Sequence, residues 1–208
     1  MAKTMGMADK RPRGRPRAYD RETALQRARD VFWQTGYAGS SLDQISAATG
    51  MNRPSLKAAF GDKRALYLAA LEAYWEFKAL AMGKALDAGT PEEALLRVYE
   101  MSLDTYFSGV GGTRGCFVVG TAITEAAEDP EIRRIVTEGF RMLDESFEGM
   151  LRSSRERGQL SAASDTAALA SLASATLHSM AVRARAGATR EELWALACQA
   201  VKVICGSV

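Results

Sequence analysis

The 208 residues carry 27 Lys and Arg against 25 Asp and Glu, with 47% hydrophobic residues and one histidine. That length allows one large domain or two small ones with a real core. No apolar run reaches the roughly 18 residues a membrane helix needs, and residues 1–18 lack the apolar stretch of a secretory signal, so a cytoplasmic protein away from membranes is expected. The near-neutral total hides an asymmetry. Residues 1–64 hold 13 Lys and Arg against 6 Asp and Glu, and residues 65–208 hold 14 against 19. A basic end on an acidic body is the charge footprint of a chain that binds nucleic acid at one end, but charge alone favours a plain solvated basic tail.

Residues 1–18 are polar and basic, and read as an arm without fixed structure in the absence of DNA. The arm contains Arg13-Gly14-Arg15-Pro16-Arg17, an AT-hook-like run. Gly14 lets the backbone lie on the minor-groove floor, and Arg13 and Arg15 are drawn by its negative potential. A plain basic tail that adds only phosphate attraction is the alternative.

Asp20 caps a first helix that runs to about Gly36, with Leu25, Ala28, Val31 and Phe32 inward. After a turn at residues 36–40, Ser41 and Gln44 form a capping box that starts a second helix. Gly50 can take the left-handed conformation that ends it. Asn52 caps a third helix with Pro54 in its first turn. Leu56 and Phe60 face inward, leaving Asn52, Arg53, Ser55 and Lys57 outward. Two short helices about a tight turn form a helix-turn-helix, whose second helix enters the DNA major groove. A fourth helix runs from Lys63 to about Leu86, with Leu66, Leu71, Trp75 and Ala79 as its stripe, and no flexible linker precedes the body.

Further helices are expected from Pro91 to about Phe107, Arg114 to Glu128, Pro130 to about Arg157, Asp165 to about Ala186 and Thr189 to about Cys205. The chain therefore reads as all-α, with about nine helices, divided into an arm (1–18), a DNA-binding domain (19–64) and a ligand-binding and dimerisation domain (65–208). The last two helices are apolar nearly all round, so both faces need cover. A homodimer through Leu169, Leu172, Thr176, Met180, Trp194, Ala197 and Val201 would supply it.

The stretch from Thr23 to Leu68 resembles the N-terminal domain of the TetR/AcrR family of transcriptional regulators. Phe32, Gly36, Ser41, Ile45, Ala48, Gly50, Ser55, Leu56, Phe60, Lys63 and Leu66 fall at that family's spacing. The resemblance implies an all-helical homodimer, a DNA head, and a body with a ligand pocket, most members being repressors released by a small molecule. Arg114-Gly115-Cys116-Phe117 is similar to a subgroup with a Gly-Cys motif in the C-terminal domain. Lys57 stands where the family usually has Tyr, and Ala59 where it often has His or an aromatic. The candidate DNA contacts are Arg13, Gly14, Arg15, Arg17, Ser40, Ser41, Asn52, Arg53, Pro54, Ser55, Lys57 and Lys63, with Ser41 and Lys63 as phosphate contacts.

The candidate pocket comprises Trp75, Met101, Tyr106, Phe107, Cys116, Phe117, Met142, Phe147, Thr176 and His178, and its apolar lining suits a hydrophobic or aromatic effector. His178 is the only histidine, so no two-His metal site exists. P-loop, Gly-x-Gly-x-x-Gly and Cys-x-x-Cys motifs are absent. No enzyme, metal or cofactor is expected. A thiol- or metal-responsive regulator using Cys116, Cys198 and Cys205 is one alternative, and an architectural DNA binder without a ligand is another.

Overall fold

The structure, a computed structural model, describes residues 20–87, 89–109 and 112–206. The arm residues Arg13, Gly14, Arg15 and Arg17 lie outside the described residues. Nine helices are found among the described residues: α1 (Arg21–Gly39), α2 (Leu42–Thr49), α3 (Arg53–Phe60), α4 (Lys63–Leu86), α5 (Pro91–Tyr106), α6 (Phe117–Glu125), α7 (Pro130–Glu156), α8 (Thr166–Arg185) and α9 (Arg190–Cys205). No strand is formed among them. A lone antiparallel bridge joins Gly109 and Gly112.

The starts are set by side-chain caps. The Asp20 carboxylate accepts from the Glu22 and Thr23 amides, and capping boxes open α2, α5 and α9 at Ser41, Thr90 and Thr189. Each satisfies amides that no helical carbonyl can reach. The bounds of α1 and α6 differ from expectation, α6 also ending at Glu125 rather than Glu128. The last turn of α1 continues to Gly39 across a kink at Gly36. Helix α6 begins at Phe117 rather than Arg114, because the Arg114 and Gly115 amides are spent on the Tyr106 carbonyl at 2.9 and 3.4 Å. Gly115 has φ 62° there, and a Cβ would run into the Ala181 carbonyl oxygen. Only glycine fits that approach.

The head consists of α1, α2, α3 and the first turns of α4, closed around Ala24, Ala28, Phe32, Ile45, Leu56, Phe60 and Leu66. The Phe, Ile and Leu side chains among these contribute about 1.5–3 kcal/mol each when fully buried. Helix α1 buries a second face as well. Trp33 packs on Tyr74 and Phe117 with ring centroids 5.5 and 5.4 Å away, and its Nε1 donates to the Arg114 carbonyl at 3.1 Å. Leu25 and Val31, expected inward, are only half-buried. Contact with the body has rotated the buried stripe of α1 toward Trp33.

In the body, α4 packs on α5 and α7, α5 on α9, and α8 on both α7 and α9. Its core includes Leu71, Val98, Leu103, Phe117, Leu143, Phe147, Leu151 and Leu177. Of the residues expected at a dimer face on the last two helices, four turn inward. Thr176, Met180, Ala197 and Val201 are buried within the chain's own core, so they leave no side chain for a second copy. The outward apolar residues are Leu172, Val182 and Val203, with Leu169 and Trp194 half-buried.

The α4–α7 seam depends on Gly139, where a Cβ would collide with the Trp75 indole, whereas a Cβ at Gly149 in the same helix meets nothing within 4 Å. Gly139→Ala is expected to cost about 1–3 kcal/mol through overpacking. Gly149→Ala is expected to gain roughly 0.5–1 kcal/mol from helix propensity. Urea melts of the two variants against the wild type check the opposite signs.

Candidate nucleic-acid interface and the polar core behind it

Helices α2 and α3 meet at Gly50, whose φ of 71° puts it in the left-handed region as the C-cap of α2. The Ser46 hydroxyl donates to the Met51 carbonyl and ties the turn. Asn52 then caps α3 by accepting from the Ser55 amide at 2.9 Å. Leu56 and Phe60 anchor α3 on the head core. Asn52, Arg53, Pro54 and Lys57 are exposed, and Ser55 is half-buried. This leaves a short polar ridge of amide, hydroxyl and ammonium groups, the donor types that read base edges and phosphates.

Several expected contact residues already have partners. Arg53 forms a forked pair with Asp43 on α2, at 2.8 and 2.5 Å, with both side chains mostly exposed. Its guanidinium is therefore drawn back toward α2. Ser40 is buried, and its hydroxyl donates to the Tyr37 carbonyl at 2.7 Å. Lys63 donates to the Ser40 carbonyl at 2.6 Å and lies 4.6 Å from the centre of the Tyr37 ring. An ammonium has three donors, so Lys63 keeps capacity for a phosphate. The Ser41 oxygen accepts from the Gln44 amide at 3.2 Å, which leaves its proton to donate.

The head is fastened to the body at three places. Arg64 forks onto both Asp129 oxygens at 2.7 and 2.9 Å and reaches Glu131 at 2.8 Å. The Tyr67 hydroxyl lies 2.7 Å from the Thr121 hydroxyl in a buried contact. Arg114 stacks 3.9 Å from the Trp33 ring centre and pairs with Asp30 at 3.0 Å.

The ten expected pocket residues are divided rather than gathered. Trp75 and Met142 line a groove of about 450 Å³ between α4 and α7. Met101 lines a different groove of about 350 Å³. Tyr106, Phe117 and Phe147 are fully buried core residues, and Phe107 is half-buried. The Thr176 hydroxyl is turned back onto the Leu172 carbonyl at 2.9 Å. Cys116 and His178 belong to a polar cluster inside the body. There Tyr74 Oη lies 3.3 Å from Cys116 Sγ. His178 packs 4.5 Å from the Phe140 ring centre, with its Nε2 buried and unpartnered among the described residues.

The unexpected member of this cluster is Lys78. It is 3% exposed and donates to the Ser102 hydroxyl at 3.0 Å. Burial lowers its pKa, with only Cys116 acting in the opposite sense. Burial also lowers the pKa of His178, as does Lys78, against an opposing effect of Asp144. A signal for Lys78 was present in the chain. Leu71, Tyr74, Trp75, Lys78 and Met82 share one helical stripe and are all buried, and a lysine in such a stripe is exceptional. The three cysteines are free thiols. Burial, then Glu92, pushes Cys205 up to about 12, away from the thiolate that redox chemistry requires.

Residues 24–70 match the family model described as "Bacterial regulatory proteins, tetR family". Residues 92–200 match that of the "Tetracyclin repressor-like, C-terminal domain". The chain belongs to the TetR family. It is a DNA-binding transcriptional regulator, and α2 with α3 forms the TetR-type helix-turn-helix. It is 29% identical over 189 residues to the HTH-type transcriptional repressor ComR of Escherichia coli (strain K12), covering 90% of each chain. It is 31% identical over 149 residues to the uncharacterized HTH-type transcriptional regulator YezE of Bacillus subtilis (strain 168), covering 71% of this chain and 76% of that protein. Among solved structures it resembles a cysteine variant of the TetR family regulator CifR complexed with 26-bp double-strand operator DNA. The TM-score is 0.82 at 34% identity, covering 90% of this chain and 98% of that one.

The Arg64 fork gives this TetR-family member an acid-sensitive seam. Arg64 holds Asp129 well below the ordinary carboxylate value of 3.8. A depressed folded-state value means stability that is present above 3.8 and lost as the pH falls below it. Arg64→Gln is expected to lower the urea midpoint near neutral pH, with the gap closing once the pH drops well below 3.8. Urea titrations across that range check it, and a gap that persists unchanged in acid contradicts the linkage.

Proposed function

We propose that this chain is a homodimeric repressor in the cytoplasm that holds a two-fold operator and releases it when a small molecule binds the body. The observation that carries the reading is the exposed Asn52–Lys57 ridge on α3, seated by Leu56 and Phe60. In this reading α3 enters the major groove and Lys57 supplies a charged phosphate contact. Ser41 and Lys63 flank it on the backbone, and residues 1–17 follow the minor groove. Residues 19–64 form the reader and 65–208 the body, with α4 common to both. The second copy docks on the outward face of α8 and α9, through Leu172, Val182 and Val203. The body binds its effector without transforming it. The effector is largely apolar, and the buried Lys78–Ser102 pair and the orphan His178 nitrogen are the polar groups that would orient it. Repression follows from the relatives, since ComR is named a transcriptional repressor and CifR is held on operator DNA.

The test is selection of bound sequences from a randomised duplex pool, followed by gel-shift titrations across salt concentrations. A two-fold-related site is the expected product. Lys57→Ala should weaken binding across sequences and reduce the salt slope by about 1. Deleting residues 1–17 should weaken binding and flatten the slope further. A pool that returns no two-fold sequence, or a salt slope untouched by both changes, refutes the reading.

A further inference from the structure

A groove of about 720 Å³ runs between the first half of α1 and the second half of α4. Leu25, Ala70, Ala73, Phe77 and Leu80 give it an apolar lining. Phe77 is 54% exposed and Leu80 71% exposed. They stand three residues apart on one helix and so share a face. Single exposed apolar residues need no cover, but two on one face beside a recess make a patch that something can fill.

The charges around the groove are sorted. Arg21 is turned onto the Phe60 ring, with Cζ 5.0 Å from its centre, and Arg29 onto Trp33 at 5.9 Å. Glu22 and Glu76 are exposed and form no ion pair among the described residues. The groove therefore sets two free carboxylates beside an apolar strip. The described chain begins at Asp20, which itself lines the groove. The segment before it carries Lys3, Lys10, Arg11, Arg13, Arg15 and Arg17 against Asp9. Ahead of the basic run stand Met5 and Met7, whose unbranched thioethers mould to irregular apolar surface. From Ala70 to Leu80 α4 rises about 15 Å. Residues 8–19 span roughly 40 Å when extended, so the chain can turn back at Asp20 and still lay these methionines on Phe77 and Leu80. Attachment at the edge of the groove gives the segment an effective concentration on the order of millimolar, which fills a site too weak for a free partner. A second copy docking by two-fold symmetry would instead bring the same carboxylates to this face.

We propose that residues 1–17 dock back into the α1–α4 groove when no DNA is bound, with Met5 and Met7 on Phe77 and Leu80 and the Arg11–Arg17 run against Glu22 and Glu76. The docking makes no use of the polar core around Lys78. It also sets up a competition, and this consequence rests on the reading that the same residues follow the minor groove. An arm held in the groove must leave it before it reaches DNA, so docking lowers the apparent affinity for operator by the fraction of arm that is held.

The experiment is limited trypsin digestion of the full chain without DNA. In the Arg11–Arg17 run, Arg11 and Arg15 are shielded by the prolines that follow them, which leaves Arg13 and Arg17 as cut sites. Cleavage there tracks the undocked fraction of the arm when undocking is fast. Phe77→Ser/Leu80→Ser alters two exposed side chains with little bearing on folding, and its arm should be cut at least about threefold faster than the wild type's. Glu22→Gln/Glu76→Gln should be cut about twofold faster and lose most of the salt dependence that the wild type shows. Ile123→Ser, at an exposed apolar position on α6, should be cut at the wild-type rate. Equal rates in the wild type and both double variants overturn the proposal, as does the same acceleration in Ile123→Ser. Wild-type protection that rises with protein concentration also overturns it, because a second copy would then be the cover. Operator titration separates the two readings. The Phe77→Ser/Leu80→Ser variant should bind operator more tightly, in step with its faster cleavage. Faster cleavage with unchanged operator affinity upholds the docking and counts against the arm's place in the minor groove.

Discussion

Helix α4 belongs to two hydrophobic cores at once, and the rest of the molecule is arranged around that constraint. Its first turns bury Leu66 and Tyr67 among head residues, and the following turns bury Leu71, Tyr74, Trp75 and Met82 in the body. Tyr67 is the pivot. Its ring lies 5.0 Å from Phe32 and 4.8 Å from Tyr37 on the head side, and 5.9 Å from Phe117 on the body side. A helix of 24 residues with no break cannot flex like a linker. Movement in the body therefore reaches the reader as a tilt of a stiff rod.

The contacts across the seam differ in strength. The aromatic cluster of Phe32, Trp33, Tyr67, Tyr74 and Phe117 is buried, and each ring pair is worth about 0.5–1.5 kcal/mol beyond its area. The Arg64 fork on Asp129 and Glu131 is only partly exposed, with Asp129 at 21% the most covered of the three. A partly exposed ion pair is still screened by salt, so it contributes less than the buried rings. The cluster therefore holds head to body, while the fork sets the register of α4 against the start of α7. The cheaper contact is the one a conformational change can give up.

Caps and periodicity made most of the fold legible. Asp20, Ser41, Asn52, Thr90 and Thr189 each announce a helix by local chemistry that tertiary contacts had no reason to override. The reader was legible for the same reason, since Gly50, Asn52 and Leu56 act within one turn of each other. Long-range effects were not. Trp33 became core because of Tyr74 and Phe117, which lie far along the chain. Met180, Ala197 and Val201 turned inward because α8 and α9 pack on α7 and α5, which a uniformly apolar helix does not disclose. The pocket residues were chosen by type, and side-chain type does not separate core from lining. Lys78 lies one position from the stripe of Leu71, Trp75 and Ala79, so periodicity alone does not mark its amine as buried.

This arrangement constrains how any small molecule can act. A ligand shifts the head only by its difference in affinity between two head–body arrangements. A molecule buried wholly among α5, α8 and α9 must first displace α4 to be felt at α3. The strongest contacts, on Tyr67 and Phe117, resist separation of head from body. The weaker Arg64 fork permits rotation about that pivot.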